Sequence, residues 1–222
     1  MKVIYEDNHI IVVIKEPNIP SQSDKTGDID MLTLVKDYVK EKYNKPGEAY
    51  IGLVHRLDRP VGGLMIFART SKAASRLSEQ VRNKSFKKKY LAVVDGEFDN
   101  KNGTLTDYLY KDERNNISKV VTEAKKNSKL AKLDYEVLNY DDKRNLSLVK
   151  IDLHTGRHHQ IRVQMANAGH SLFGDQKYGT RGKGKQIRLW AYEIEFEHPT
   201  TKEALKFTDY PDWTMVKNRS GM

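Results

Sequence analysis

A carboxylate set between two guanidinium groups is the first feature of this sequence that could do chemistry. Asp58 lies between Arg56 and Arg59, with the imidazole of His55 just ahead, in His55-Arg56-Leu57-Asp58-Arg59-Pro60. Opposite charge at short range favours the ionised carboxylate, the form that serves as a general base or a nucleophile. Two apolar runs, residues 51–54 and 64–68, flank the segment, which closes on Pro60 and Gly62-Gly63. Runs of this length bounded by Gly and Pro predict buried strands joined by a tight connection. Loops held on such a scaffold are where reactive groups concentrate. Taken alone, one acidic residue in one loop reads more simply as a turn residue paired to Arg59.

Three later stretches change that balance. They are Lys88-Lys89-Tyr90-Leu91-Ala92-Val93-Val94-Asp95-Gly96, Thr155-Gly156-Arg157-His158-His159-Gln160-Ile161-Arg162 and Gly174-Asp175-Gln176-Lys177-Tyr178-Gly179. With His55–Asp58 they resemble, in order, the HRLD, KxYxAxVxG, TGRxHQxR and GDxxYG segments of the RluA-type RNA pseudouridine synthases. Each segment is weak by itself; the four in order are specific. The resemblance runs from about residue 3 to residue 207. One departure stands at Pro60-Val61-Gly62-Gly63, where the usual form is closer to x-Thr-Ser-Gly, but Asp58 keeps its place.

The resemblance implies an RNA-modifying isomerase that needs no cofactor and no metal. Converting uridine to pseudouridine breaks the bond from ribose C1′ to base N1 and makes one from C1′ to C5, so nothing is oxidised and no group enters. By the same resemblance Asp58 is the carboxylate at the ribose, either attacking C1′ or removing the C2′ proton to give a glycal. Arg162 would pair with Asp58 and fix its direction, and Tyr90 would stack on the detached uracil. A base in structured RNA must be extruded first, at a cost of a few kcal/mol. Arg56 is placed to enter the vacated stack, because guanidinium planes stack on bases. Arg59, Arg157, His158 and His159 are expected along the same cleft. Lys84, Lys87 and Lys88, within the lysine run of residues 84–89, are expected along RNA phosphates. The substrate would be specific uridines of ribosomal or transfer RNA.

Two other readings compete. Asp58, His154, His158, His159 and Asp175 could form the metal site of an RNA phosphodiesterase, with His154 and His158 four residues apart. Thr155-Gly156 interrupts that helix, however, and no Glu accompanies the pair. A non-catalytic RNA-binding protein of the same fold is the third reading, and binding alone has no need of Asp58, Tyr90 and Arg162 together.

Composition narrows the classes. Thirty-nine Lys and Arg against thirty Asp and Glu give a formal charge of +9 and point to a polyanionic partner. With no Cys there is no thiolate nucleophile, disulfide framework or thiolate metal site. No signal segment opens the chain and no apolar run reaches membrane-spanning length, so we expect a soluble, cytoplasmic monomer with no membrane partner.

These residues have to be positioned by an α+β scaffold. A hairpin is expected over residues 2–15, with a turn at Glu6-Asp7-Asn8-His9, then a loop over 17–30. Asp30 and Thr70-Ser71 predict helix starts before apolar-periodic segments reaching about residue 43 and residue 83. Alternation predicts strands over 91–94, 104–110, 120–122, 130–140, 146–153, 187–197 and 204–207. Residues 111–129, charged and Asn-rich, read as a mobile surface loop with an edge strand. A third helix is expected after Gly156. The resemblance implies a single pseudouridine synthase catalytic domain over residues 1–222. It would have a central mixed, mostly antiparallel sheet, flanking helices, an RNA-binding cleft and no N-terminal accessory domain.

Overall fold

The computed structural model describes residues 1–44 and 47–213. They gather into two compact units, Met1–Lys87 with Glu193–Asp209, and Lys88–Tyr192 with residues 210–213. In chain order the first unit begins with β1 (Lys2–Glu6), β2 (Ile10–Lys15), α1 (Met31–Lys42), β3 (Gly52–Leu53), β4 (Gly62–Ala68) and α2 (Ser71–Arg82). The second holds β5 (Lys87–Asp95), β6 (Asn102–Asp112), β7 (Ile117–Val121), β8 (Lys129–Asp141), β9 (Leu146–Leu153) and α3 (Gln160–Asn167). Strand β10 (Leu189–Glu197) starts in the second unit and ends in the first, where β11 (Ala204–Thr208) pairs with it. The strand pairings within each unit are antiparallel, and the fold is α+β, as the sequence suggested. Among the described residues no helix is long and apolar enough to cross a membrane.

In the first unit β2 lies between β1 and β4. Its run Ile10-Ile11-Val12-Val13-Ile14 and the whole of β4 are buried, the unbroken hydrophobic signature of strands covered on both faces. Asp30 caps α1 by accepting from Leu32 N (2.9 Å) and Thr33 N (3.2 Å), and the helix buries Met31, Val35 and Val39. Thr70 caps α2 by accepting from Ala73 N at 3.1 Å. β3 is shorter than the apolar run, and α2 passes close to it: a Cβ added at Gly52 would meet Ala74 Cβ at 2.8 Å. Gln80 on α2 brackets the end of β10, donating to Glu197 O (2.8 Å) and accepting from Glu197 N (2.9 Å).

The lysine run is not one solvated strip. Phe86 interrupts it, 4% exposed and stacked on Phe196. Strand β5 starts at Lys87, four residues ahead of the 91–94 run expected from the sequence.

In the second unit the strand neighbours run β5-β9-β8-β6-β7. Residues 111–129 are an ordered hairpin with β7 at its edge, and Asn116 and Asn127 take the left-handed turn positions that Asn tolerates. Helix α3 lies against β6 and β7, with Val163 in a cluster with Leu109 and Ala131. Tyr90 is opposite Ile151, and Ile151 is opposite Tyr135. Alternation then puts Tyr90 on the sheet face that α3 covers.

Candidate active site

The backbone of the loop from His55 to Val61 is fixed at several points. Leu57 donates its N–H to Ser21 Oγ (3.1 Å) and accepts the Ser21 hydroxyl at its carbonyl (2.8 Å). Val61 N donates to Asp58 O at 2.9 Å, closing a four-residue turn with Arg59-Pro60 at its centre. The Arg59 carbonyl accepts from Asn18 N at 2.8 Å. His55, 7% exposed, accepts from Ile66 N of β4 at Nε2 (3.2 Å) with its ring against Phe86, the strut role that a lone histidine usually has. Beyond the turn Gly63 has φ +123°, a conformation that favours glycine. Pro60-Val61-Gly62-Gly63 thus serves as the turn's exit into a buried strand, with Val61 2% exposed.

Beneath the turn sits a residue the sequence reading missed. Lys15 ends β2 fully buried, opposite Gly63. Its Nζ donates to the carbonyls of Val61 (2.6 Å), Arg59 (2.9 Å) and Glu16 (3.2 Å). Burial pushes the ammonium down to about 7, while the charges of Asp58 and Glu16 pull it back up. An amine that titrates near neutrality therefore stands near Asp58 and pins the backbone on either side of Pro60. Arg59 turns its guanidinium to the 17–30 loop. It donates to Thr26 Oγ1 (3.0 Å), pairs with Asp28 and lies 3.5 Å from Asp24. The Arg59 hydrogen bond lowers the Asp28 carboxyl, while Asp24 is lowered chiefly by the hydroxyl and N–H of Thr26, with Arg59 adding to it. Asp58 is half-buried and Arg56 exposed.

In the second unit Arg162 projects from α3, 3% exposed, and forms a fork with Asp175: Nε to Oδ2 and Nη2 to Oδ1, both 2.7 Å. Asp175 Oδ1 also accepts the backbone N–H of Lys177 (2.9 Å) and Tyr178 (3.2 Å). An added Cβ at Gly179 would meet Asp175 O at 2.6 Å, so the last glycine of the motif allows this close loop. The Tyr178 hydroxyl accepts from Ser118 N (2.6 Å) and lies 2.9 Å from His159 Nδ1, and the Arg162 guanidinium sits over the Tyr178 ring at 5.3 Å. Burial, with the charge of Arg162, pushes His159 down to about 2, so the imidazole is neutral. The Thr155–Gln160 turn is fixed by Gln160, which accepts from Thr155 Oγ1 (2.8 Å) and Arg157 N (3.0 Å). Arg157 is exposed and reaches Leu130 O at 2.9 Å, and His158 is held to Ser118 Oγ at 3.0 Å. Tyr90 is 6% exposed. Asp58 therefore belongs to the first unit, and Tyr90 and Arg162 to the second.

The chain matches the family model described as RNA pseudouridylate synthase over residues 9–167. It belongs to that family. It is an RluA-type RNA pseudouridine synthase, an isomerase acting on RNA. Among its relatives, the uncharacterized RNA pseudouridine synthase YjbO of Bacillus subtilis is 34% identical, over 93% of this chain and 71% of its own length. The ribosomal large subunit pseudouridine synthase C of Haemophilus influenzae is 30% identical, over 96% of this chain and 66% of its own. The fold is that of human RNA Pseudouridylate Synthase Domain Containing 4, with a TM-score of 0.79 at 20% identity, covering 95% of this chain and 89% of that one.

The histidines of the rival metal reading are turned to separate partners in the synthase. His154 Nε2 meets Asp134 Oδ2 at 2.6 Å, His158 and His159 go to Ser118 and Tyr178, and Asp175 faces Arg162. Among the described residues no group of three or more His, Cys, Asp or Glu is placed to hold a metal ion. The roles of Lys15 and Ser118 had no motif to announce them. The one sequence sign of Lys15 is a lysine closing an otherwise apolar run.

Proposed function

We propose that the synthase isomerises specific uridines of structured ribosomal or transfer RNA, with Asp58 as the carboxylate at the ribose. The observation that carries this reading is the turn at Asp58–Val61, where Ser21, Asn18 and a fully buried Lys15 all bind backbone around one half-buried carboxylate. A loop needing only to connect two strands has no use for a fully buried lysine beneath it, since burying an ionisable amine is costly. Preorganisation of this kind fixes the direction of a reacting group.

In the reaction, C1′–N1 breaks, the uracil turns, C1′–C5 forms, and the proton lost from C5 is balanced by one gained at N1. Asp58 either bonds to C1′ during the interval or takes the C2′ proton. Arg162, whose guanidinium is held in direction by its fork to Asp175, has the role the family resemblance gives it, that of the arginine paired to the catalytic carboxylate. Tyr90 holds the detached uracil by stacking. Arg56, exposed beside the turn, fills the gap left by the extruded base, while Arg59, Lys84, Lys87, Lys88, Arg157 and His158 contact the surrounding RNA.

Pseudouridine mapped across total RNA by carbodiimide-dependent reverse-transcription stops tests this reading. Cells with the gene, without it, and with only Asp58→Ala are compared. Stops that vanish without the gene and do not return with Asp58→Ala are expected. Stops restored by Asp58→Ala would remove Asp58 from the chemistry.

A further inference from the structure

Lysines 84–89 differ in what surrounds them. Lys84 and Lys87 are exposed, whereas Lys88 and Lys89 are half-buried. Strand alternation puts Lys88 on the same face of β5 as Tyr90, about 6.6 Å from it along the strand, and turns Lys89 to the opposite face. The Lys88 ammonium approaches the Thr155–Gln160 turn: a Cβ added at Gly156 would lie 3.5 Å from its Nζ. Among the described residues Lys88 has no hydrogen-bond or ion-pair partner. Lys15, by contrast, is fully buried and has three carbonyls. Burial alone lowers the Lys88 pKa, with no anion to oppose it.

We infer that Lys88 is an anchor for a phosphodiester of the substrate beside the uridine held on Tyr90, and so a positioning residue for the isomerisation. The inference rests on the proposed function and supplies one of its contacts. A partly desolvated ammonium without a partner is a standing cost to the free protein, and an anion arriving with the substrate removes it. The separation of Lys88 from Tyr90 is comparable to the reach from a nucleotide's base to its own phosphate, so one strand face can hold both ends of one nucleotide. Gly156 leaves the approach open. Its φ is not in the left-handed region, so a side chain there is compatible with the backbone but covers the ammonium. Lys84 and Lys87 remain in water, where a phosphate contact is weaker and less directional.

The test uses the full chain and a stem-loop RNA with a single loop uridine, in the unmodified form and as a set with one methylphosphonate at each position flanking that uridine. Filter binding over a salt series, thermal unfolding of the free proteins and tritium release are measured for wild type, Lys88→Met, Lys88→Arg and Gly156→Ala. Lys88→Met is expected to reduce the salt slope by about 0.7 to 0.9, the loss of one phosphate contact. It should also raise the melting temperature of the free protein by about 2–4 °C, because an unpartnered buried charge is gone. A lysine with a structural role would lower it. Lys88→Arg should keep the wild-type slope, and Gly156→Ala should weaken binding in the same direction as Lys88→Met. One methylphosphonate should cost wild type as much as Lys88→Met does, and cost Lys88→Met nothing further. An unchanged slope in Lys88→Met, a lower melting temperature, or equal sensitivity of wild type and Lys88→Met to every methylphosphonate would overturn the inference. The binding and melting measurements do not depend on turnover, so a failure of Asp58 chemistry would show separately, in tritium release alone.

Discussion

Arg162 and Asp175 face each other as a buried fork, with their side chains 4% and 0% exposed. The fork joins the TGRxHQxR segment to the GDxxYG segment. Asp175 is itself clamped by the backbone of Lys177 and Tyr178, so the direction of the Arg162 guanidinium is set from a loop 13 residues away. Arginine suits the position, because a planar fork transmits orientation where an ammonium would not.

Breaking this fork should be costly. Asp175→Asn removes the carboxylate charge and leaves the Arg162 guanidinium poorly matched, so a destabilisation of about 3–5 kcal/mol is expected. Arg162→Lys should not restore turnover, because it keeps the charge and loses the two parallel hydrogen bonds. Urea unfolding and tritium release from C5-labelled RNA check the two halves. An Asp175→Asn protein with wild-type stability and rate would show that the fork orients nothing.

Lys15 offers a different combination of signs. Lys15→Met should destabilise by about 1–3 kcal/mol at neutral pH, because three carbonyls lose their donor, the buried one of Val61 among them. The folded value of about 7 lies below that of an unfolded lysine, about 10.4. Between those values the unfolded chain holds a proton the folded chain has released, so this group adds stability as pH rises, by up to about 1.4 kcal/mol per unit. The deficit of Lys15→Met should therefore widen from pH 7 to pH 9. A deficit that stays constant over that range would show that the lysine remains charged in the folded protein throughout.

What could be read beforehand was whatever is local. Asp30 and Thr70 announced their helices by capping chemistry, and Leu146–Leu153 by alternation. The Asp58 loop was legible because its carboxylate, arginines and glycines are neighbours in sequence. Lys15 was not, since a lysine closing an apolar run reads as the point where the chain meets water. Only the pairing of β2 with β4 buries it. Phe86 was hidden among lysines, and its burial depends on Phe196, far along the chain. The hairpin at residues 111–129 looked mobile by composition, but Ser118 is bonded to Tyr178 and His158, and Lys177 Nζ donates to Asn116 O at 2.6 Å. Those partners lie beyond any local pattern.

His159 makes acid stability testable. Its folded value, pushed down to about 2, lies below the unfolded value near 6.5. Below pH 6.5 the unfolded chain takes up a proton that the buried ring does not, so stability is lost as pH falls, by up to about 1.4 kcal/mol per unit from this group. His159→Asn suits the left-handed backbone at this position, φ 53°, and cannot titrate. Its stability should fall less than that of wild type between pH 7 and pH 5 in urea titrations. Parallel acid limbs for the two proteins would show that His159 is protonated in the folded state.

The last prediction concerns Asp58 itself. The turn that carries it is held by main-chain contacts from Ser21, Asn18, Lys15 and Val61, and none of these requires the Asp58 side chain. Asp58→Asn and Asp58→Ala should therefore leave the loop in place and the protein folded. RNA affinity should stay within about tenfold of wild type, a change of about 1.4 kcal/mol or less, since the cationic residues assigned to binding remain. Turnover should be lost in both variants, because neither an amide nor a methyl group can bond to C1′ as a leaving carboxylate or take a proton from C2′. The near-isosteric Asn keeps the shape of the site and so separates charge from packing. Tritium release from C5-labelled RNA, run beside a filter-binding titration of the same preparations, reads both quantities. Asp58→Ala releasing tritium at the wild-type rate would remove the carboxylate from the mechanism. Loss of binding by well over tenfold, with folding intact, would instead make Asp58 an organiser of the RNA-binding surface.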